Sequence, residues 1–263
     1  MSSSEMNIRT PDVLYIGGGG RRAPLTLAAA ALLLLSLAVG VSAQRNFSRK
    51  YPARQNVRFE LYNRFGKIEV LAWNRNEIKV TANMDSPAAR FNPEQSEDAL
   101  VINVVNDNRG RGEIGDVNFQ IWVPYNSTVE IVTRRGNIIV RDVRGNHVRA
   151  RSFEGDIELT GIRAPAVMAE NTTGNITFDG EIASGGEYVF SSMQGDINIS
   201  IPATSAFRLV ATAPMTRNIA LGPFPSGGLS FIGEGRKVVG NVGDGGASLT
   251  VTNQRGSIKF FRR

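Results

Sequence analysis

Arginines are the residues of this 263-residue chain whose number and spacing best suit binding chemistry. The chain carries 30 Lys and Arg residues against 24 Asp and Glu residues, a formal net charge of +6. Arginine binds phosphate and carboxylate groups through paired N–H donors, so a basic surface indicates an anionic partner. Arginines crowd into one stretch at Arg134, Arg135, Arg141, Arg144, Arg149, Arg151 and Arg163. Three of them, Arg135, Arg149 and Arg151, have glutamate neighbours in the repeat alignment below. We select Arg141, Arg144 and Arg163 as candidates for binding an anion or acidic glycan.

Residues suited to catalysis are scarce. His147 is the single histidine and the chain has no cysteine, which argues against a Ser-His-Asp triad and against a zinc site. A glycosidase needs two carboxylates at a defined separation, and nothing in the sequence marks such a pair. Asp156 and Asp196 follow turn glycines at positions where sibling phrases carry Asn, which indicates turn chemistry. We therefore predict no catalytic residue, no metal site and no cofactor.

A six-residue phrase with glycine at its second position and isoleucine at its fourth occurs six times. Apolar residues alternate with polar ones on both sides of the glycine, which is the periodicity of a strand. Glycine followed by Asn or Asp is typical of a tight turn, so each phrase predicts a strand, a turn and a second strand. The pairs are Gly66 and Ile68, Gly136 and Ile138, Gly155 and Ile157, Gly174 and Ile176, Gly195 and Ile197, and Gly256 and Ile258. A seventh phrase has Arg217 in place of the glycine.

The spacing of the phrase predicts how the strands pair. Gly136, Gly155 and Gly174 follow one another at intervals of 19 residues, and a period near 20 is typical of stacked repeats. Aligning the phrases on glycine brings opposite charges together, at Glu130 with Arg149, Arg151 with Glu170 and Arg135 with Glu154. We predict an all-β fold: a single-chain parallel β-helix, or β-solenoid, with coils of about 20 residues and a less regular, β-rich N-terminal cap.

Two further features bear on this fold. A third apolar position follows the glycine at Val143 and Ile162, which predicts a third short strand in each coil. The same alignment stacks Arg144 on Arg163, two like charges that need solvent or an anion between them. An antiparallel sandwich or meander is the alternative, because short strands with turn signals fit it as well. The parallel coil is preferred because it explains why one phrase recurs in one register.

The N-terminal residues 1–43 predict an export signal. Arg21 and Arg22 precede the apolar stretch from Pro24 to Val41, and Ala43 ends a small-residue cleavage motif. An uncleaved membrane anchor is the alternative, because residues 24–41 have the minimum length for spanning. We predict an exported protein of the periplasm or cell surface, or else an inner-membrane protein with one N-terminal anchor. Residues 44–263 are predicted to be one domain, with an irregular part at 44–125 and regular coils at 126–263.

The sequence also resembles the bacterial putative-adhesin domain family of unknown function, and is similar to head-GIN-type adhesin domains. The resemblance rests on Gly66 to Val70 followed by Trp73 to Val80, on Val123-Pro124 leading into the repeats, and on Leu249 to Ile258. It covers residues 55–260. The resemblance implies a β-strand repeat fold and brings no established catalytic residues.

These observations together predict an exported, non-enzymatic cell-envelope protein that binds or scaffolds through a repetitive, adhesin-like face. The predicted partner is an anionic envelope polysaccharide or another envelope protein. Export argues against nucleic acid, and membrane contact is expected only if residues 24–41 are retained. Two alternatives stay open: a β-helix carbohydrate-active enzyme, and a membrane-anchored periplasmic sensor or assembly module.

Overall fold

Two large mixed β-sheets make up nearly all of the fold. The computed structural model describes residues 45–214 and 218–263. The predicted export signal and Arg217 of the seventh phrase lie outside the described residues. Within the described part of the chain, the helical element is the single turn α1 (Val104–Asp107). The prediction of an all-β class is confirmed at this level.

Sheet A and sheet B each run from an irregular edge through a regular centre. Sheet A contains, in spatial order, β1 (Arg45–Pro52), β4 (Glu77–Met84), β7 (Val117–Pro124), β3 (Ile68–Trp73), β9 (Ile138–Arg141), β11 (Ile157–Ile162), β13 (Ile176–Gly180), β15 (Ile197–Ile201), β21 (Ile258–Arg262) and β17 (Ile219–Ala220). Sheet B contains β18 (Leu229–Ile232), β19 (Lys237–Val242), β16 (Phe207–Thr212), β20 (Ala247–Asn253), β14 (Glu187–Gln194), β12 (Ala166–Thr173), β10 (His147–Glu154), β8 (Thr128–Arg135), β2 (Arg58–Phe65), β6 (Ala99–Asn103) and β5 (Glu94–Gln95).

The phrases pair in parallel and in the predicted register. Ile157 of β11 lies between Ile138 and Ile176, and the isoleucines of all six phrases are buried. Outward charges meet as the alignment predicts: Arg149 lies 3.2 Å from Glu130 and Arg151 lies 3.8 Å from Glu170. Arg135 is the Cα partner of Glu154, but its guanidinium lies over the Phe65 ring, 4.7 Å from the centroid. These parallel pairings disagree with the antiparallel meander.

Each regular phrase supplies two strands, one to each sheet, and the predicted third strand is wrong. Val143 is fully buried as expected, but it lies in a bend between β9 and β10. The chain turns there because Asp142 adopts a positive φ of 62° and Gly145 packs tightly against the backbone of Ser127. Ile162 is the last residue of β11, where the register of pairing shifts, and does not begin a separate strand.

The spatial order of the phrases departs from chain order at both ends. At one end, β20 and β21 of the last phrase lie directly beside β14 and β15, and β16 and β17 lie outside them. At the other end, β6 and β7 lie outside β2 and β3, which come earlier in the chain. Antiparallel strands then cover these outer pairs, as β4 covers β7 and β19 covers β16. The first half thus supplies the strands at one edge of each sheet.

A column of glycines runs along the turns of the six phrases. A Cβ atom on Gly155 would overlap the carbonyl oxygen of Gly136, and a Cβ on Gly256 would overlap that of Gly195. The glycines of the six phrases also adopt φ values between 111° and 148°, a region that other residues resist. The position beside Gly195 therefore requires glycine, and the last phrase supplies it with Gly256.

Two ladders of polar side chains run along the turns. Outside, the Oδ1 atom of each Asn or Asp accepts a hydrogen bond from the next phrase: Asn137 from the Asp156 amide, Asp156 from Asn175, Asn175 from Asp196, and Asp196 from Ser257, at 2.7–3.0 Å. Inside, a buried polar residue donates to the preceding glycine carbonyl: Ser152 to Gly136, Asn171 to Gly155, Ser192 to Gly174 and Asn253 to Gly195. The predicted turn role of Asp156 and Asp196 is confirmed.

Replacing Gly155 by Ala should destabilise the protein, because the new Cβ meets the Gly136 carbonyl and the backbone φ is 144°. Backbone strain of this kind costs about 1–3 kcal/mol, which lowers the melting temperature by roughly 2–4 °C per kcal/mol. Gly112→Ala is the matched control, since nothing lies near its Cβ position. Thermal unfolding followed by circular dichroism measures both, and equal melting temperatures would contradict the glycine column.

Asp196 should make stability depend on acid pH. The Ser257 amide, with further help from the Ser257 hydroxyl and Lys259, holds the pKa of the Asp196 carboxyl below its usual value of 3.8. A lowered folded pKa contributes stability above the unfolded value, and that contribution is lost as pH falls through the folded pKa. Asp196→Asn keeps the acceptor oxygen but not the charge. Its deficit in melting temperature should be present at pH 6 and should shrink below pH ~4.

The control for this experiment is Asp156→Asn, at the same position of another phrase. Asp156 accepts from the Asn175 amide and lacks the serine hydroxyl and lysine donors that surround Asp196. The same substitution should therefore change the melting temperature less. A deficit for Asp196→Asn that is constant from pH 6 to pH 3 would show that the charge of Asp196 makes no contribution.

Candidate binding groove

A groove of about 910 Å³ crosses the outer face of sheet B. It begins at α1 and crosses β2, β8, β10 and β12 to reach β14. Neighbouring strands lie about 4.8 Å apart, so the groove is elongated along the stack. We call it the sheet B groove. Its lining comprises Tyr62, Asn63, Asn103, Val105, Asn106, Arg109, Val132, Thr133, Arg134, Arg151, Ser152, Phe153, Glu170, Asn171, Thr172, Ser191 and Met193.

The alternation of each strand decides which side chains face the groove. Residues seven, five and three before the glycine point into the core, so those four and two before it point outward. The outward residues four before the glycine are Tyr62, Val132, Arg151, Glu170 and Ser191, and they form the floor. Those two before it are Arg134, Phe153, Thr172 and Met193, and they form one side. The alternation that places every second residue in the core therefore also decides which residues line the groove.

Apolar side chains are unusually exposed in this groove. Val105, Phe153 and Met193 expose 47%, 54% and 48% of their surfaces. Six large hydrophobic side chains are exposed in the described parts of the chain, and these three line one groove. Single exposed hydrophobic residues need no explanation, whereas clustered ones are typical of binding surfaces. The groove thus offers an apolar contact surface as well as charge.

The charged side chains of the groove differ in whether they have partners. Arg151 forms an ion pair with Glu170 across neighbouring strands. Within residues 45–214 and 218–263, no acidic side chain pairs with the exposed Arg109 or Arg134. Two positive charges therefore remain available to an anionic ligand at the α1 end of the groove.

Hydrogen bonds to buried Asn108 anchor the loop that carries Arg109. The Asn108 Nδ2 atom donates to the carbonyls of Val104 and Arg90, and the Asn108 Oδ1 atom accepts from the Arg90 amide. Asn103 also caps α1 by accepting from the Asn106 amide at 2.9 Å. These bonds tie the sequence segment at residue 90 to the segment at residue 108, so Arg109 is presented on an anchored loop.

Tyr62 contributes a neutral hydroxyl to the floor. Burial, together with the nearby carboxylates of Glu130 and Glu60, raises the pKa of Tyr62 above its usual value. The hydroxyl therefore keeps its proton at neutral pH and donates to Glu60 Oε2 at 3.1 Å. This interaction positions the tyrosine ring and supplies no base or nucleophile.

The three arginines selected from the sequence lie elsewhere and have partners within the protein. Arg141 bridges Glu69 at 3.9 Å and Glu158 at 3.2 Å on the outer face of sheet A. Arg163 lies 3.1 Å from Glu181. The Arg144 guanidinium lies over the Tyr125 ring, 4.5 Å from its centroid. Arg144 and Arg163, which were expected to stack on each other, thus contact two different partners. Anion binding by Arg141, Arg144 and Arg163 stays a prediction.

Carboxylates come together at one point in sheet B. Glu60 and Glu130 are Cα partners on β2 and β8, which is the proximity that paired-carboxylate chemistry requires. Each is bound to its own arginine, however, with Arg58 2.9 Å from Glu60 and Arg149 3.2 Å from Glu130. The four residues form a charge-balanced row on the sheet surface. Across the described residues, no group of three or more His, Cys, Asp or Glu side chains is placed to hold a metal ion.

Most residues of the sheet B groove are not among those selected from the sequence. Phe153 and Met193 occupy outward positions of the alternation, and an apolar residue out of phase with the core is the signal that could have marked them. Arg134 belongs to the arginine-rich stretch, but its lack of a partner depends on the neighbouring strands.

No helix in the part of the chain that the structure describes is long and apolar enough to cross a membrane.

Comparison with known proteins gives structural likeness only. No protein-family model and no curated protein matches the sequence. A "putative cell adhesion protein" from Clostridium sporogenes shows 12% identity and a TM-score of 0.46, covering 84% of this chain and all of that one. A "putative adhesin" from Bacteroides fragilis shows 10% identity and a TM-score of 0.31, covering 84% and 99%. A "putative lipid binding protein" from Parabacteroides distasonis shows 10% identity and a TM-score of 0.36, covering 82% and 96%.

The first two of these proteins are described as adhesion proteins, the general class named by the sequence resemblance. Nothing in their descriptions specifies the head-GIN type. At these identities and TM-scores no residue role is carried over from them to this chain.

Proposed function

We propose that this chain is an exported, non-enzymatic cell-envelope protein that binds an anionic partner through the sheet B groove. The observation that carries the proposal is the groove itself, in which the unpaired Arg109 and Arg134 lie beside exposed apolar side chains. Arginines without internal partners attract anions at no cost of broken ion pairs. A binding or scaffolding role, adhesin-like in its use of a repetitive face, fits such a surface.

We further propose that the two sheets are opposite faces of a β-solenoid in which each regular phrase forms one coil. Parallel pairings on both sheets support this arrangement. So do backbone hydrogen bonds between the bends that connect the sheets: Arg144 donates to Tyr125, Arg163 to Val143 and Glu181 to Ile162, at 2.7–3.0 Å. A coil would set outward side chains at even spacing along the stack, which suits an elongated ligand.

Export is proposed from the sequence of residues 1–43, whose apolar stretch is followed by a small-residue cleavage motif. We expect the protein of the envelope fraction to begin at Gln44, and intact mass spectrometry of that fraction measures this. A mass that includes residues 1–43 would favour the membrane-anchored alternative. Recovery of the uncleaved chain from the cytoplasmic fraction would overturn export.

Removing the unpaired charges should weaken anion binding. The probe is lipopolysaccharide, an envelope component that carries phosphates, acidic sugars and acyl chains, with neutral dextran as the comparison. Arg109→Gln with Arg134→Gln should reduce affinity at least tenfold, and binding by the native protein should weaken as salt is raised. Arg141→Gln with Arg163→Gln removes the same charge from residues that already have partners and should reduce affinity less.

This comparison also tests the arginines selected from the sequence. A larger loss in the Arg141 and Arg163 variant than in the groove variant would transfer binding to the sheet A side and overturn the groove as the site. Dextran bound as tightly as lipopolysaccharide, or binding insensitive to salt, would overturn anion recognition. Melting temperatures of both double variants establish that any loss is local.

A further inference from the structure

We infer that the sheet B groove holds the hydrocarbon chain of an anionic amphiphile, with a phosphate or carboxylate headgroup at Arg109 and Arg134. This inference rests on the proposed function, because it names the class of ligand that the same groove takes. It differs from the anionic polysaccharide expected from the sequence, because a hydrocarbon chain also contacts the exposed apolar side chains.

The types of the exposed side chains favour a hydrocarbon over a sugar. Sugars are held by flat aromatic rings and by hydrogen-bonding side chains, and among the lining residues Phe153 offers an exposed ring while Tyr62 offers a half-buried one. Val105 and Met193 are aliphatic, offer no strong donor or acceptor, and expose about half of their surfaces. Covering such surface with hydrocarbon removes it from water, which is favourable. An acidic polysaccharide would leave this contribution unused.

The arrangement along the groove matches an amphiphile with one charged end. Arg134 on β8 and Phe153 on β10 occupy the same outward position of adjacent strands, and Met193 follows two strands farther along. Three strand spacings separate Arg134 from Met193, roughly 14 Å, which accommodates an extended alkyl chain. Arg109 lies on the loop after α1, at the end where Arg134 lies. The unpaired charge therefore lies at the α1 end, and exposed apolar side chains lie along the groove from Val105 on α1 to Met193 on β14.

The floor between these ends does not compete for the headgroup. Arg151 is paired with Glu170, so the pair is neutral as a unit, and Val132 and Ser191 flank it on the neighbouring strands. A headgroup at Arg151 would have to displace Glu170, whereas Arg109 and Arg134 have no partner to lose. The polarity of binding, with the head toward α1 and the tail toward β14, follows from this difference.

The test is calorimetric titration of the full chain with dodecyl phosphate below its aggregation concentration. Inorganic phosphate supplies the anion without the chain, and dodecyl maltoside supplies the chain without the anion. Phe153→Ser with Met193→Thr should weaken dodecyl phosphate binding at least tenfold. Arg134→Gln should weaken dodecyl phosphate binding and leave dodecyl maltoside binding unchanged. Phe261→Ser is the matched control, because Phe261 is also exposed but lies outside the groove.

Three results would overturn the inference. The first is inorganic phosphate binding as tightly as dodecyl phosphate, and the second is equal losses in the Phe153/Met193 and Phe261 variants. The third is lipopolysaccharide binding that needs Arg109 and Arg134 but not Phe153 and Met193; the groove would then remain an anion site, and only the hydrocarbon chain would be excluded. Loss of lipopolysaccharide binding with either pair of groove variants, at unchanged melting temperature, supports the amphiphile.

Discussion

The close approach of successive glycines is the constraint on which the rest of the structure depends. In each regular phrase, the carbonyl oxygen of one glycine occupies the space that a Cβ of the next would need. The carbonyls of Gly136, Gly155, Gly174 and Gly195 also accept a hydrogen bond from a buried Ser or Asn side chain of the neighbouring phrase. Glycine and its buried donor therefore form one unit, and the distance between phrases is fixed at the turn. The column ends at Gly66, and Val117 occupies the position outside it, where glycine is not required. The Val117 carbonyl oxygen accepts a hydrogen bond from the Asn63 side-chain amide.

A fixed turn also fixes the register of both sheets, because a strand that slipped by one residue would turn its core face to solvent. The buried rows set this register, because a slip would expose them. Ile157 and Leu159 are examples on β11, and Val148 and Ala150 are examples on β10. The outward rows contribute less to the register, through exposed pairs such as Arg149 with Glu130. Their composition changes from phrase to phrase, from Arg134 to Phe153 to Thr172, while the buried rows seven and five before the glycine stay apolar. Function is therefore expected in the outward rows.

The sequence predicts the features that recur in every phrase. It does not predict the features that occur only once in the chain. Register, the isoleucine ladder and the Arg149–Glu130 pair follow from aligning phrases on glycine, because each is decided by local alternation. The order of the last two phrases does not follow from the alignment, because chain order is the natural guide and the last phrase lies inside the phrase that precedes it in the chain. The loop of Arg109 is equally hidden. Its position depends on hydrogen bonds between Asn108 and Arg90, residues whose proximity no periodic pattern indicates.

Partners within the protein distinguish the arginines better than their density in the sequence. Arg141 lies between two glutamates, so binding an external anion there means giving up attractions that already exist. Exposed ion pairs are worth only about 0.2–1 kcal/mol each, but their glutamates would also repel the incoming anion. Arg109 and Arg134 face neither cost, and they lie beside apolar surface from which a ligand can exclude water. An ion pair gains strength when water is displaced from it. The apolar side chains of the groove and its unpaired arginines therefore reinforce one another in selecting a ligand that has both properties.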